Sequence, residues 1–484
     1  MSSWWRPYKL LPVKRMASSG MLTDELMPDT PEEALEQARN LGLPRGFLIG
    51  AATAAYQVEG GLHNCTWSDW EKAGKNGEHF AGKACDVWNR FPEDVKRAKA
   101  LGLRMLRFSV DWSRIELAEG AFDDAALDRY VEWCVLLLAN GIQPMVTLHH
   151  FSEPSWFDAK GGWEKRENVA CFVRFAEVVT ARLAPSCSHW CTINELNGFA
   201  VCGWLAGVHP PGKRDDLLTH LDVIRNMLVA HTAAAKCIRA ASAPNPVPPS
   251  ICLSLSHIVF VAAWWQPFSY CLALFFNYVF NYIYLDGLLY GRLRLPFHLL
   301  AIALGWRRDV EALRGTIDVI GVNHYYRSLV SLERDTSSAE APAQPSPTDL
   351  FLRLPLGLLL RASSVDGFEK SDMGWDLTPS SMERLLTAIW ERYRTPIIVT
   401  ESGIADGDDP DDRRTRYLAA CLGVASRLRA RGVDLRGYLF WTLMDNFEWA
   451  EGFRPRFGLL RTDFSTLERH ERPSNAVIRA AVAG

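Results

Sequence analysis

The chain has 484 residues, 48% of them hydrophobic and 23% charged, with a formal net charge of −3 at pH 7. That balance gives no footing for a nucleic-acid or polyanion partner, and the apolar fraction is ample for a large core. Eleven cysteines stand singly, without C-x-x-C or zinc-ligand spacing, so reduced buried thiols in a cytoplasmic protein are expected and a disulfide framework is not.

The start of the chain, Met1 to Ser19, carries Arg6, Lys9, Lys14 and Arg15 around a short apolar piece. It lacks the apolar core of a secretory signal. Residues 1–44 are expected to form an N-terminal extension, partly disordered, whose tryptophans leave a membrane contact open as a second reading. From 45 to 484 strand and helix signals alternate. Candidate strands are Phe47–Thr53, Met105–Val110, Pro144–His149, Trp190–Asn194, Ile251–Ser256, Val319–Asn323, Ile397–Thr400 and Tyr438–Leu443. Amphipathic stretches between them include Pro92–Leu101, Ala125–Asn140, Val169–Leu183 and Arg413–Arg431. Eight strands with intervening helices predict the α/β class: one (β/α)8 TIM barrel with elaborated active-site loops.

Three connections stand out. Pro244–Pro249 is Pro-rich, and the low-complexity run 335–349 reads as a long mobile loop on the active-site face. Ile251–Leu285 contains no Asp, Glu, Lys or Arg, but Gln266 and Pro267 interrupt it, which argues against a membrane span. Two readings of it stay open. One is a barrel strand, an apolar loop and a buried helix. The other is an exposed lip around 260–276 that meets a bilayer or a hydrophobic aglycone.

Two glutamates carry the chemistry. Glu195 closes the run Cys191–Asn194, and Glu401 closes Ile397–Thr400. A carboxylate at the tip of a buried strand must be desolvated or paired, and in a (β/α)8 barrel that tip lies on the catalytic face. Two such groups suit cleavage of a glycosidic bond, which needs an acid/base and a nucleophile.

The surrounding motifs are ordered along the chain. They are Gly46–Gly60 (GFLIGAATAAYQVEG), Arg107–Ile115 (RFSVDWSRI), Thr192-Ile193-Asn194-Glu195, Thr400-Glu401-Ser402-Gly403 and Trp441–Trp449 (WTLMDNFEW). On these the chain resembles the β-glycosidases of glycoside hydrolase family 1 from about Gly46 to Pro473. The resemblance implies Glu195 as acid/base and Glu401 as nucleophile, the latter supported by Arg107, Asn323 and Tyr325. It further implies Asn194 at the sugar 2-hydroxyl, Gln57, His150, Glu448 and Trp449 on the remaining hydroxyls, and Trp441 beneath the ring. Glu448 disfavours a 6-phosphosugar. The chain departs from the pattern at Leu196, where the family has Pro, at Ser402, where it has Asn, and at Phe151, where it has Trp. None of these removes a catalytic group.

The implied activity is that of a retaining exo-β-glycosidase removing terminal β-D-glucose, and also galactose or fucose, through a covalent glycosyl-enzyme. No metal or cofactor is implied. The expected partner is a small β-glycoside, with a hydrophobic aglycone if the exposed-lip reading holds, and no nucleic acid. Two alternatives remain: a membrane-associated glycolipid hydrolase or transglycosylase using the same site, and an inactive sugar-binding barrel. The second predicts loss of Glu195 or Glu401, and both are present.

Overall fold

The computed structural model describes residues 13–15, 21–263, 266–334, 350–354 and 358–483. The run 335–349 and the pair Trp264 and Trp265 lie outside them. All eight expected strands form: β1 Leu48–Ala52, β2 Met105–Ser109, β3 Gln143–His149, β4 His189–Asn194, β5 Ser250–Ser256, β6 Ile320–Asn323, β7 Ile397–Ser402 and β8 Leu435–Trp441. They pair in parallel and in chain order, and β8 returns to β1 to close the barrel. The strands are apolar on both faces because both are covered. Met105, Met145, Cys191, Cys252, Val319, Ile398 and Leu439 fill the interior, and the outward faces meet the helices. β8 starts three residues before the expected Tyr438, because exposed Arg436 interrupts its apolar run.

The helix Val169–Leu183 has the expected bounds. The helix expected at Pro92 starts at Val87 and carries Pro92 inside it. Of the expected extension, residues 21–44 are built onto the barrel. Thr30 caps the helix Pro31–Arg39 through the Glu33 N–H, Pro31 occupies its first turn, and Ala34 and Ala38 are buried. This helix packs on Asp412–Ala430 and Asn475–Ala483.

The apolar segment departs from both readings. After β5 the chain forms a further strand, Val259–Ala262, where a loop was expected. It joins a four-stranded sheet with Arg327–Arg334, Leu358–Ser363 and Leu350–Leu354. The helical stretch Phe268–Tyr290 follows. Asn277 and Asn281, one turn apart in this stretch, explain why polar residues interrupt it. Asn281 accepts from the Ile258 N–H at 3.1 Å and donates to its carbonyl at 2.7 Å, and Asn277 does the same for Phe260 at 3.3 and 2.6 Å. The two amides thus satisfy an edge of Val259–Ala262 that no strand among the described residues covers. One face of the stretch, Leu272, Ala273, Phe276 and Phe280, packs around Phe260. Phe268 and Phe275 on the other face are exposed.

Candidate active site

The strands deliver their terminal side chains to one mouth, and the backbone is irregular where the two glutamates emerge. Register slips occur between Cys191 and Asn194 on β4, between Val322 and Asn323 on β6, and between Val399 and Ser402 on β7. Such irregularities re-aim side chains. Glu195 itself has φ of 45°, a left-handed conformation uncommon for a side-chain-bearing residue. Gly403 is required by close approach: a Cβ there would lie 2.1 Å from the Trp441 carbonyl oxygen.

Arg107, fully buried on β2, organises the floor. Its Nη1 donates to Glu401 Oε1 at 2.6 Å, its Nη2 to Asn194 Oδ1 at 2.6 Å and its Nε to Thr147 Oγ1 at 2.9 Å. The Tyr325 hydroxyl donates to Glu401 Oε2 at 2.8 Å. Both oxygens of Glu401 therefore have donors. Asn323, expected to support Glu401, goes elsewhere: its Nδ2 donates to Glu195 Oε1 at 2.8 Å and to Asn194 Oδ1 at 3.1 Å. It reaches the Glu401 side only through Thr400, whose hydroxyl donates to Asn323 Oδ1 at 2.6 Å. With Arg107 and Tyr325 already on Glu401, the amide serves the other carboxyl.

Asn194 Nδ2 lies 3.1 Å from His150 Nε2. An amide N–H can only donate, so the imidazole proton sits on Nδ1, which has no protein partner. Burial and the charge of Arg107 hold His150 well below its ordinary pKa, and it is neutral. Gln57 Nε2 donates to the Phe447 carbonyl at 2.7 Å, Asn446 Oδ1 at 3.1 Å and Glu448 Oε2 at 3.3 Å. Its buried Oε1 has no partner. Trp441 Nε1 approaches the same Glu448 oxygen at 3.4 Å. Trp449 stacks on Tyr56 and on His150, with ring centroids 6.1 Å apart in each case. Phe151 packs against Trp449 at 5.4 Å. Among the described residues, His150 Nδ1 is thus a buried donor and Gln57 Oε1 a buried acceptor without a partner, close to aromatic faces. Buried polar atoms are costly unless paired, and hydroxyls of a ring-shaped ligand would pair them.

The electrostatics separate the two glutamates. Burial, and then the charge of Glu401, push Glu195 up to about 8. Burial also raises Glu401, but the Arg107 guanidinium and the Tyr325 hydroxyl pull it back. Glu195 receives only a neutral amide donor, so it takes the proton that the pair shares near neutrality. Glu448 is likewise pushed up to about 8, chiefly by burial.

These contacts link the eleven residues singled out in the sequence into one network, with Asn323 on Glu195 where Glu401 was expected. Thr147 and Thr400 were not singled out. Their signal was a hydroxyl on a strand otherwise apolar on both faces.

Residues 40–482 match Glycosyl hydrolase family 1. The chain belongs to that family. It is 33% identical to Beta-glucosidase A of Thermotoga maritima over 453 residues, which cover 88% of this chain and 94% of that one. Beta-glucosidase A of Acetivibrio thermocellus is 32% identical, over 89% of this chain and 96% of its own length. The structure of the beta-glucosidase from Thermotoga maritima in complex with glucoimidazole superposes with a TM-score of 0.80 at 29% identity, covering 92% and 99% of the two chains. As a family 1 enzyme the protein is a glycoside hydrolase of the retaining β-glycosidase type.

Proposed function

We propose that this retaining β-glycosidase removes terminal β-D-glucose with Glu401 as nucleophile and Glu195 as acid/base. The observation that carries the assignment is the asymmetry of donors: a guanidinium and a phenol on Glu401, a single neutral amide on Glu195. Glu401, ionised, attacks the anomeric carbon. Glu195, protonated, gives its proton to the departing oxygen. Ester formation removes the negative charge of Glu401. The repulsion that raised Glu195 disappears, and Glu195 then accepts a proton from the attacking water. Arg107 holds Asn194 against the position of the 2-hydroxyl, where a hydrogen bond strengthens in the transition state. His150, Gln57, Trp441, Glu448 and Trp449 form the glucose pocket. A hydrophobic aglycone is the expected preference, since the apolar stretch Phe268–Tyr290 reaches the loop after Glu195 through Asn197, whose Nδ2 donates to the Phe280 carbonyl at 3.3 Å.

Azide rescue tests the assignment. Glu401→Ala is expected to abolish turnover, with azide restoring it as the α-glycosyl azide. Glu195→Ala is expected to keep glycosylation by substrates with good leaving groups, and azide then yields the β-product. The reverse stereochemistry would show the two roles exchanged.

A further inference from the structure

Among the described residues, seventeen large hydrophobic side chains are exposed, and eight of them fall within residues 268–304. They are Phe268, Phe275 and Tyr290 on the long helical stretch, then Leu295, Leu299, Leu300, Ile302 and Leu304 on and around the short helix Phe297–Ala303. Leu295 is 70% and Leu299 59% exposed. The two elements form one surface: the Phe275 and Phe297 rings lie 6.1 Å apart, and Tyr278 and Phe297 5.2 Å. A patch this concentrated is unusual on a freely soluble protein and marks an interaction site.

Charge identifies the partner. The sequence Arg292-Leu293-Arg294 precedes the exposed leucines and Arg307-Arg308 follows them, so the apolar surface is bracketed by exposed arginines. Between this surface and the helix Pro379–Tyr393 runs a groove of 1240 Å³ whose lining holds six arginines against three glutamates, with Phe275, Leu295 and Phe297 at its apolar edge; Arg294 and Arg392 face Asp286, and Arg427 and Arg431 face Glu383. An apolar face with a cationic border matches an anionic lipid interface: side chains enter the acyl boundary and guanidinium groups meet phosphates. The stretch Phe268–Tyr290 has the length and mean hydropathy of a membrane span. Asn277 and Asn281 tie it to Val259–Ala262, however. Asp286, at 2.5 Å from Arg392 and 2.8 Å from the Tyr393 hydroxyl, ties it to Pro379–Tyr393. A helix tied to the fold in this way is held at the protein surface and is not free to cross a bilayer.

We propose that the exposed face of residues 268–304 docks the enzyme on an anionic phospholipid bilayer. The proposal does not depend on the glucosidase assignment. The full chain is sedimented with vesicles of phosphatidylcholine alone, or with roughly one-third phosphatidylserine. The expected result is binding that requires phosphatidylserine, weakens with added salt, and falls at least about ten-fold in two variants. One is Leu299→Ser with Leu300→Ser. The other is Arg307→Glu with Arg308→Glu, which alters only exposed groups and carries the test if the leucine pair does not fold. Hydrolysis of a soluble aryl β-glucoside should be unchanged in both. The proposal is overturned by absence of binding to either vesicle, or by equal binding of parent and folded variants. A stable dimer that the leucine substitutions dissociate would also overturn it, by assigning the face to a second copy of the chain.

Discussion

Tyr325→Phe isolates the device that keeps Glu401 ionised. The substitution keeps the ring and deletes one hydroxyl, the donor 2.8 Å from Glu401 Oε2. A hydrogen bond to a charged group contributes about 1.5–3 kcal/mol. At 1.36 kcal/mol per pKa unit, its loss raises the Glu401 value by about 1–2 units. The Arg107 contact at 2.6 Å remains, so the shift is bounded. The sign follows from which form the hydroxyl stabilises. It stabilises the carboxylate, so without it the carboxylate forms only at higher pH. With Glu401 as the proposed nucleophile its ionised form makes the attack, and the acid limb of the kcat/KM profile on an aryl β-glucoside should move up by that amount. The basic limb, which reports the proton on Glu195 near 8, should stay nearly in place. A uniform loss of rate at every pH, with the acid limb fixed, would refute the reasoning and reduce Tyr325 to a packing role.

Glu195→Gln should remove the basic limb and make stability less dependent on pH. The native carboxyl titrates near 8 and an ordinary glutamic acid near 4.5. Between these values the native state binds more protons, so the parent loses stability as pH rises. The variant should match the parent near pH 4.5 and exceed it near pH 8 by on the order of a few kcal/mol, read as Tm; a gap constant across pH would count against the shift. Glu448→Ala takes the acceptor from Trp441 Nε1, while Gln57 Nε2 keeps the Phe447 carbonyl and Asn446, and should lower kcat/KM on glucosides about 5–150-fold, from about 1–3 kcal/mol. An unchanged value would remove Glu448 from the sugar pocket. Gly403→Ala drives a methyl into the Trp441 carbonyl, which is backbone and yields little. A cost of about 1–3 kcal/mol, with a fall in kcat as Glu401 shifts, is expected from thermal melts and initial rates.

The barrel was legible because its strands are buried on both faces and bounded by polar stops, a pattern that survives in sequence without long-range information. Glu195 and Glu401 were legible for the opposite reason: they are the polar residues least suited to their places. What Asn323 holds was not legible. An amide has donors for either carboxyl, and only the prior occupation of Glu401 by Arg107 and Tyr325 decides which it takes. The stretch after β5 was unreadable for a different cause. When nearly every residue is apolar, periodicity cannot say which face is covered, and nothing local marks the asparagines that anchor the buried face. Five exposed aliphatic side chains cluster at 295–304, beyond the segment 260–276 that composition had drawn attention to.

The proposed glucose pocket straddles the seam where the barrel closes. Gln57 follows the first strand, and Glu448, its partner 391 residues later, follows the last; Thr442 beside β8 donates to the carbonyl of Ala52 on β1 at 2.6 Å. No chain still emerging from the ribosome can hold a sugar until its final strand has been made. Pairing the two ends is a contact of very high sequence separation, and such contacts form slowly. During refolding, helical signal should therefore return well before inhibitor affinity. A sugar-mimicking inhibitor would act as a clamp on the seam, slowing the opening of the first and last strands more than that of any other neighbouring pair.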